Sequence, residues 1–443
     1  MGILLCFFRL SVFWHNTPRS EALASRAGKV RALNEWLGSK LVKFERVEVA
    51  ETSSSSSGWG LVATKALRRG DVALEVPESL CLVGEDPSEI AAQFVGLEAN
   101  VWTECCVEAN PAATLPLLSS DGALAGYSSR DFEALRDNAR IDAAELGVDF
   151  EGRYRPALAI ALSRSFFVEG RFVLAPGLDF ANHDDLLDPV ADGPDLRISR
   201  RNMIRGGKKF VFECSEDVDE GQPVSLSYGP LSAATYVENY GFLPSRGAAR
   251  RASATAELRF DLDNNDRWID DKTDVLRRNG FLAVDDDENQ ENEEPPSLQI
   301  AVGGEPDPDY FRFQRLNHLG GTDAFLLEPL FSNEIWDFLG LPVSKDNELA
   351  CLETLRAECL ATADTLTATP HTDDPLGALL GQVQTIERNA LKATLDWIQR
   401  DVDDLDSKEY YQQRRLKDLG LDTAWSADEA QWSGSRTPGG VDW

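Results

Sequence analysis

Asn182 and His183 stand side by side in the run Asp179-Phe180-Ala181-Asn182-His183, just after the Pro176-Gly177 turn. An Asn amide offers two donors and an acceptor, enough to grip an adenine or an amino-acid end, or else to brace a turn. Tyr228, in Ser227-Tyr228-Gly229-Pro230, places a hydroxyl at the end of an expected strand, and Tyr240 follows twelve residues later in Asn239-Tyr240-Gly241-Phe242. Two such rings line one pocket or form an ordinary core edge. Arg164 closes an apolar helical stretch, in Ser163-Arg164-Ser165-Phe166. In Ser57-Gly58-Trp59-Gly60-Leu61 the glycines let the backbone approach a ligand closely. His183 has no acidic or His partner at ligand spacing, so it reads as no metal ligand.

These residues need elements to position them. Val30, Leu33, Leu37 and Leu41 share one helical face over residues 25–45, and Thr52–Ser57 reads as a flexible loop. Gly60–Thr64 and Val72–Val76, closed by Pro77, read as strands. Residues 86–168 carry helical spacing, as at Phe132, Leu135 and Ala139. Strands are expected at Phe172–Leu174, Lys208–Cys214 and Val224–Tyr228. A second domain begins near 250. Within it, Asp285–Glu294 with Pro295-Pro296 reads as an acidic surface loop. Beyond it lie helices, with Leu349, Leu352 and Leu355 on one face and Leu391, Leu395, Ile398, Val402 and Leu405 on another. The tail beyond Asp422 is polar and expected to fray.

Size and charge set the limits. The 443 residues carry 42% apolar and 27% charged side chains, a soluble globular balance with room for two or three domains. A formal net charge of -31 argues against nucleic acid as primary partner and favours a basic protein or peptide, or simply keeps the chain soluble. The seven scattered cysteines fit neither a structural zinc nor a disulfide framework, and point to a reducing compartment. Met1–Trp14 is apolar but too short to span a bilayer; it reads as a targeting leader or a misplaced start.

In this order, Gly58–Leu61, Asp179–His183, Ser227–Gly229 and Asn239–Phe242 resemble the SET-domain signatures. The helical stretch between the first two resembles the insertion of the branch that includes the Rubisco large-subunit lysine methyltransferase. Val275–Gly280 is similar to that branch's helix following the SET core, and Gln384–Leu391 to a late helix of its substrate-binding domain. The resemblance covers roughly 45–420. It implies an α+β protein: a SET-domain β-core at 46–245 with a helical insertion at about 86–168, after a leader and helix at 1–45. An all-helical C-terminal substrate-binding domain at 250–425 and a tail at 426–443 complete it. It implies an S-adenosylmethionine-dependent protein-lysine N-methyltransferase acting on a non-histone protein, with that substrate in the cleft between the domains. No metal, membrane or nucleic acid is expected, and the chain is expected to be a monomer.

Residue by residue, the resemblance gives Ser57, Gly58, Trp59, Arg164, Asn182 and His183 to the cofactor. It gives Arg164, Asp179, Tyr228 and Tyr240 to the substrate, with Tyr228 as the active-site tyrosine. Trp59 stands where a basic or small residue is usual, and Val168 stands where a second basic residue is usual. Two other readings stay open: a protein-histidine methyltransferase, and a SET-fold scaffold without catalysis. The histone-directed branch is disfavoured, because no cysteine falls between Cys214 and Cys351. The compartment is expected to be cytoplasm or nucleus, or a plastid if the leader targets one.

Overall fold

A computed structural model describes residues 25–419 except 41–43, 53–57, 111–113, 120–123, 188–197, 203–206, 282–295, 329–333 and 370–372. The chain divides into two compact units: Met1–Thr255 with Thr365–Glu387, and Ala256–Asp364 with Arg388–Trp443. The apolar leader, the serines at 53–57, the acidic run Asp285–Glu294 and the tail beyond Asp422 lie outside the described residues.

The first unit opens with helix α1 (Arg26–Ser39), whose N-cap Ser25 accepts from the Gly28 N–H. Its Leu33 and Leu37 are fully buried, as their four-residue spacing requires. Short antiparallel strands follow. β1 (Val47–Glu51) pairs with β2 (Trp59–Ala63), Val47 opposite Ala63. β3 (Val72–Pro77) and β4 (Leu82–Gly84) lead into the helical insertion: α2 (Pro87–Gly96), α3 (Val101–Glu108), α4 (Phe132–Glu145) and α5 (Arg155–Arg164). Asp86, Asn100 and Asp131 cap α2, α3 and α4, each accepting from the first turn. In α5 the run Ala157–Ala161 is buried all round, so this helix forms the centre of the core rather than a surface stripe.

Helical structure ends at Arg164, four residues before the expected limit, because Ser165 turns extended. β5 (Phe166–Val168) then pairs with β6 (Arg171–Leu174), which β4 flanks on its other edge. β7 (Ile198–Asn202) and β8 (Lys208–Glu213) complete a sheet with β3, in the order β3-β8-β7. A register shift between Val72 and Leu74 buries Ala73 and Leu74 together, breaking the expected alternation. α6 (Ala233–Tyr240) and α7 (Gly247–Ala252) end the stretch.

The expected strand Val224–Tyr228 is instead an extended segment held by single bridges. Val224 N–H donates to Leu61, Leu226 N–H donates to Asn182, and Leu226 O accepts from Asp184 N–H.

The second unit is mainly helical: α8 (Ile269–Arg278), α9 (Pro308–Asn317), α10 (Ile335–Phe338), α11 (Lys345–Thr365), the C-terminal part of α12 (Pro375–Asp403) and α13 (Tyr411–Asp418). One departure from the all-helical expectation is an antiparallel ribbon of β9 (Ala256–Asp261) and β10 (Ser297–Val302). Ala256, Leu258 and Phe260 alternate with charged residues, the period-two pattern of a half-buried strand. Leu352, Leu355, Leu391 and Ile398 are buried, as their helical spacing predicts. A buried ion pair, Arg315–Glu348, joins α9 to α11, and Arg315 also donates to the Leu339 carbonyl. Among the described residues no helix is long and apolar enough to cross a membrane.

Leu37→Ala should lower the free energy of urea unfolding by about 2–5 kcal/mol, because α1 is built into the core. The same change at exposed Leu416 should stay within about 0.5 kcal/mol.

Candidate functional site

Three stretches distant in sequence meet where Asn182-His183 passes beside Leu226. The Asn182 side-chain amide donates to the Trp59 carbonyl at 2.9 Å. A Cβ added at Gly60 would lie 2.5 Å from that amide nitrogen, so the second glycine of Gly58-Trp59-Gly60 is required for the contact. His183 Nδ1 accepts from the Tyr228 backbone N–H at 3.1 Å, which places the imidazole proton on Nε2. Nε2 faces Asp185 Oδ1 at 3.4 Å, but is too poorly directed to make a hydrogen bond. Burial lowers the His183 pKa against the opposing pull of Asp185 and Asp184, so the ring is neutral at pH 7.

Tyr228 donates its hydroxyl to the Ala181 carbonyl at 3.1 Å. Its ring lies 4.4 Å from Tyr240 and 5.1 Å from His183, centroid to centroid. Tyr236 and Phe242 close the cluster, at 5.4 and 5.8 Å from His183. The Tyr236 hydroxyl donates to the carbonyl of Gly229, whose φ of 103° suits only glycine. Burial pushes the Tyr228 phenol up to about 12, with Arg164 opposing, and raises Tyr240 and Tyr236 further. The rings form an uncharged wall whose faces attract cations. The Tyr228 oxygen, with its proton committed to Ala181, keeps its lone pairs as acceptors.

Arg164 is buried and donates through Nη1 to the Asp179 carbonyl at 2.8 Å and through Nη2 to the Ala109 carbonyl at 2.9 Å. Its guanidinium lies 5.1 Å from the Phe180 ring centroid. Asp179 is one of the residues that the resemblance gives to the substrate. It is 4% exposed and points inward, where it accepts from Trp102 Nε1 at 3.0 Å, Cys106 Sγ at 3.1 Å and Gly177 N at 2.8 Å. Burial raises its pKa, while Arg164 and these three donors pull it down. Burial also pushes the Cys106 thiol up, which keeps it a donor.

Trp59 likewise points into the core, against Phe180 and beneath the Arg26 guanidinium. Its carbonyl accepts from Asn182 at the site. Gly58 has a φ of 70°, and a Cβ there would lie 2.7 Å from Arg26 Nη2. Ser57 lies outside the described residues. The structure thus brings Trp59, Asn182, His183, Tyr228 and Tyr240 together and sets Arg164 behind Asp179. Trp102, Cys106 and Tyr236 escape sequence reasoning. Trp102 and Cys106 share a face of α3 at a four-residue spacing, but nothing in the sequence connects them to Asp179. Tyr236 precedes Tyr240 by one helical turn, a spacing that was available to be read. Among the described residues no cluster of His, Cys, Asp and Glu could hold a metal.

The model of the Rubisco LSMT substrate-binding family matches residues 263–396. The chain is 26% identical to the chloroplastic [fructose-bisphosphate aldolase]-lysine N-methyltransferase of Arabidopsis thaliana, covering 91% of this chain and 90% of that one. It is 29% identical to the chloroplastic ribulose-1,5-bisphosphate carboxylase/oxygenase large subunit N-methyltransferase of Nicotiana tabacum. That match covers 60% of this chain and spans about half of the tobacco protein, 53%. Among solved structures, the SET domain of LSMT bound to lysine and AdoHcy superposes with a TM-score of 0.69 at 23% identity, covering 93% of this chain and 99% of the other. The chain is thus similar to Rubisco LSMT in fold over most of its length, and its C-terminal region matches the Rubisco LSMT substrate-binding model.

Proposed function

We propose that this protein is an S-adenosylmethionine-dependent protein-lysine N-methyltransferase acting on a non-histone protein. The observation that carries the reading is Tyr228: a neutral phenol, its hydroxyl spent on the Ala181 carbonyl, set within an aromatic wall. The names of the relatives, which methylate aldolase or the Rubisco large subunit, support it.

The residues present suit such a cofactor and substrate. Gly58 offers backbone free of a side chain, Asn182 holds the adjoining Trp59 carbonyl, His183 holds the Tyr228 N–H, and the rings of Tyr228 and Tyr240 suit a cationic group. When bound, S-adenosylmethionine supplies a methyl group activated on a sulfonium. Every other part of the task is alignment and exclusion of water. A lysine amine has an unperturbed pKa of about 10.4 and attacks only when neutral. A dry wall of rings next to another cation favours loss of the proton. The Tyr228 oxygen accepts from the neutral amine and fixes its direction, and Tyr240 narrows the pocket around it. With its pKa near 12, Tyr228 orients the amine and does not take its proton. Asp179 is a positioning residue: by holding Trp102, Cys106 and the Gly177 turn, it fixes the Arg164-bound backbone ahead of Asn182. A plastid location agrees with the chloroplastic relatives.

Incubation with methyl-labelled S-adenosylmethionine and a cell extract should label lysine, located by mass spectrometry. Label on histidine instead would overturn the lysine assignment, and absence of both label and cofactor binding would leave only the scaffold. Tyr228→Phe should lower kcat about 10²- to 10³-fold while calorimetric affinity for S-adenosylmethionine stays within about threefold.

Asp179→Asn places an N–H₂ against committed donors and should cost about 1–3 kcal/mol of stability in urea titration. A rise in KM for the protein substrate at unchanged stability would instead assign Asp179 to the substrate. Folding depresses the His183 pKa, so the unfolded chain binds its proton first as pH falls. The stability present at pH 7 should therefore be lost as pH drops below the unfolded value of about 6.5. Comparing Tm from pH 8 to 5 should show a shallower acid slope for His183→Gln than for the wild type.

A further inference from the structure

The helix motif Gln384-Thr385-Ile386-Glu387 takes no part in the site described above, yet two of its polar side chains are buried, Gln384 at 4% and Glu387 at 0% exposure. Groups buried to that degree require partners. The Glu387 carboxylate accepts from Ser128 Oγ at 2.8 Å, Ser129 N at 2.7 Å and Ser129 Oγ at 2.9 Å. One turn earlier, Gln384 Nε2 donates to the carbonyls of Gly126 and Ala368, both at 3.0 Å, with that of Leu366 at 3.2 Å. The N-terminal half of α12 therefore fixes the backbone of residues 126–129.

The next residue transmits this hold. Arg130 Nη2 lies 2.6 Å from Glu238 Oε2, and Glu238 is buried on α6 between Tyr236 and Tyr240. An apolar cluster runs alongside, packing Ala233, Ala234 and Val237 of α6 against Leu376, Leu380 and Val383 of α12. The other face of α6 presents Tyr236 and Tyr240 to His183 and Tyr228. α6 has eight residues, too few to hold a helix by itself, so its place is set by what clamps it.

We propose that Gln384 and Glu387 are positioning residues for methyl transfer, acting through Ser128, Ser129, Arg130 and Glu238 to place the pocket tyrosines of α6. This rests on the methyltransferase reading of that pocket. A misplacement of the rings by about 1 Å lowers turnover without touching the cofactor. The segment that resembles part of a substrate-binding domain thus serves the pocket with its first turns.

The test uses the full chain with Glu387→Gln, Glu238→Gln and the double variant. Readouts are amide exchange by mass spectrometry, calorimetric binding of S-adenosylmethionine, and kcat and KM from methyl transfer. Glu387→Gln should speed exchange at 128–130 and 233–240 at least about fivefold and lower kcat about five- to fiftyfold, with cofactor affinity within about twofold. The double variant should be no worse than the worse single one, since both cut one path. Unchanged exchange at 233–240, acceleration spread equally to α1, or additive losses would overturn the proposal. If Glu387→Gln does not fold, Arg130→Gln decides, because Arg130 lies nearer the surface: faster exchange confined to 233–240 supports the path, and none there refutes it. A wild-type protein that transfers no methyl group would refute the enzyme reading, while the exchange measurements would still decide the positioning path.

Discussion

The tyrosine cluster depends on the crossing of three backbone segments at Asn182. Its amide reaches the Trp59 carbonyl over a glycine that has no room for a side chain, while its own carbonyl accepts from Leu226. His183, one residue on, accepts the Tyr228 backbone N–H through Nδ1. Each bond joins stretches far apart in sequence, and none belongs to a regular ladder. A regular strand at 224–228 would send alternate side chains to opposite faces. Single bridges leave the chain free to turn at Ser227-Tyr228-Gly229 and aim the phenol back at Ala181.

Around that crossing the protein assembles rings and carbonyls while keeping formal charge behind the wall. His183 is held neutral by burial and the phenols stay protonated. Arg164 spends its donors on backbone carbonyls, and Asp179 spends its acceptors on Trp102, Cys106 and Gly177. A wall of rings carries no fixed charge and presents faces that attract cations.

The same economy of charge recurs away from the pocket. Glu387 and Gln384 are buried, and both are hydrogen-bonded to residues 126–129, Gln384 also to the carbonyls of Leu366 and Ala368. Arg315 and Glu348 are paired inside the second unit, with Lys408 nearby at 3.7 Å from Glu348. In a chain of net charge -31, buried carboxylates are expensive, and each of these is fully engaged.

What the sequence determined by itself is the set of local patterns. The apolar spacing of α1, α11 and α12 and the strands β2 and β3 were legible because each depends on near neighbours and on residue type, whereas Gly58, Asn182, His183, Tyr228 and Tyr240 were singled out together only through the family resemblance. The β9–β10 ribbon was also written there, as period-two alternation, but was hidden behind an acidic run. Only the tertiary structure decided that Asp179 turns inward, since the partners that take its carboxylate sit 73 and 77 residues earlier. It likewise decided that Glu387 meets Ser128 across 259 residues. Side-chain direction at such positions is set by which donors the fold delivers to a buried acceptor. Periodicity and composition carry no information about that delivery, because it arises from packing elements whose separation along the chain is unrelated to their distance in space.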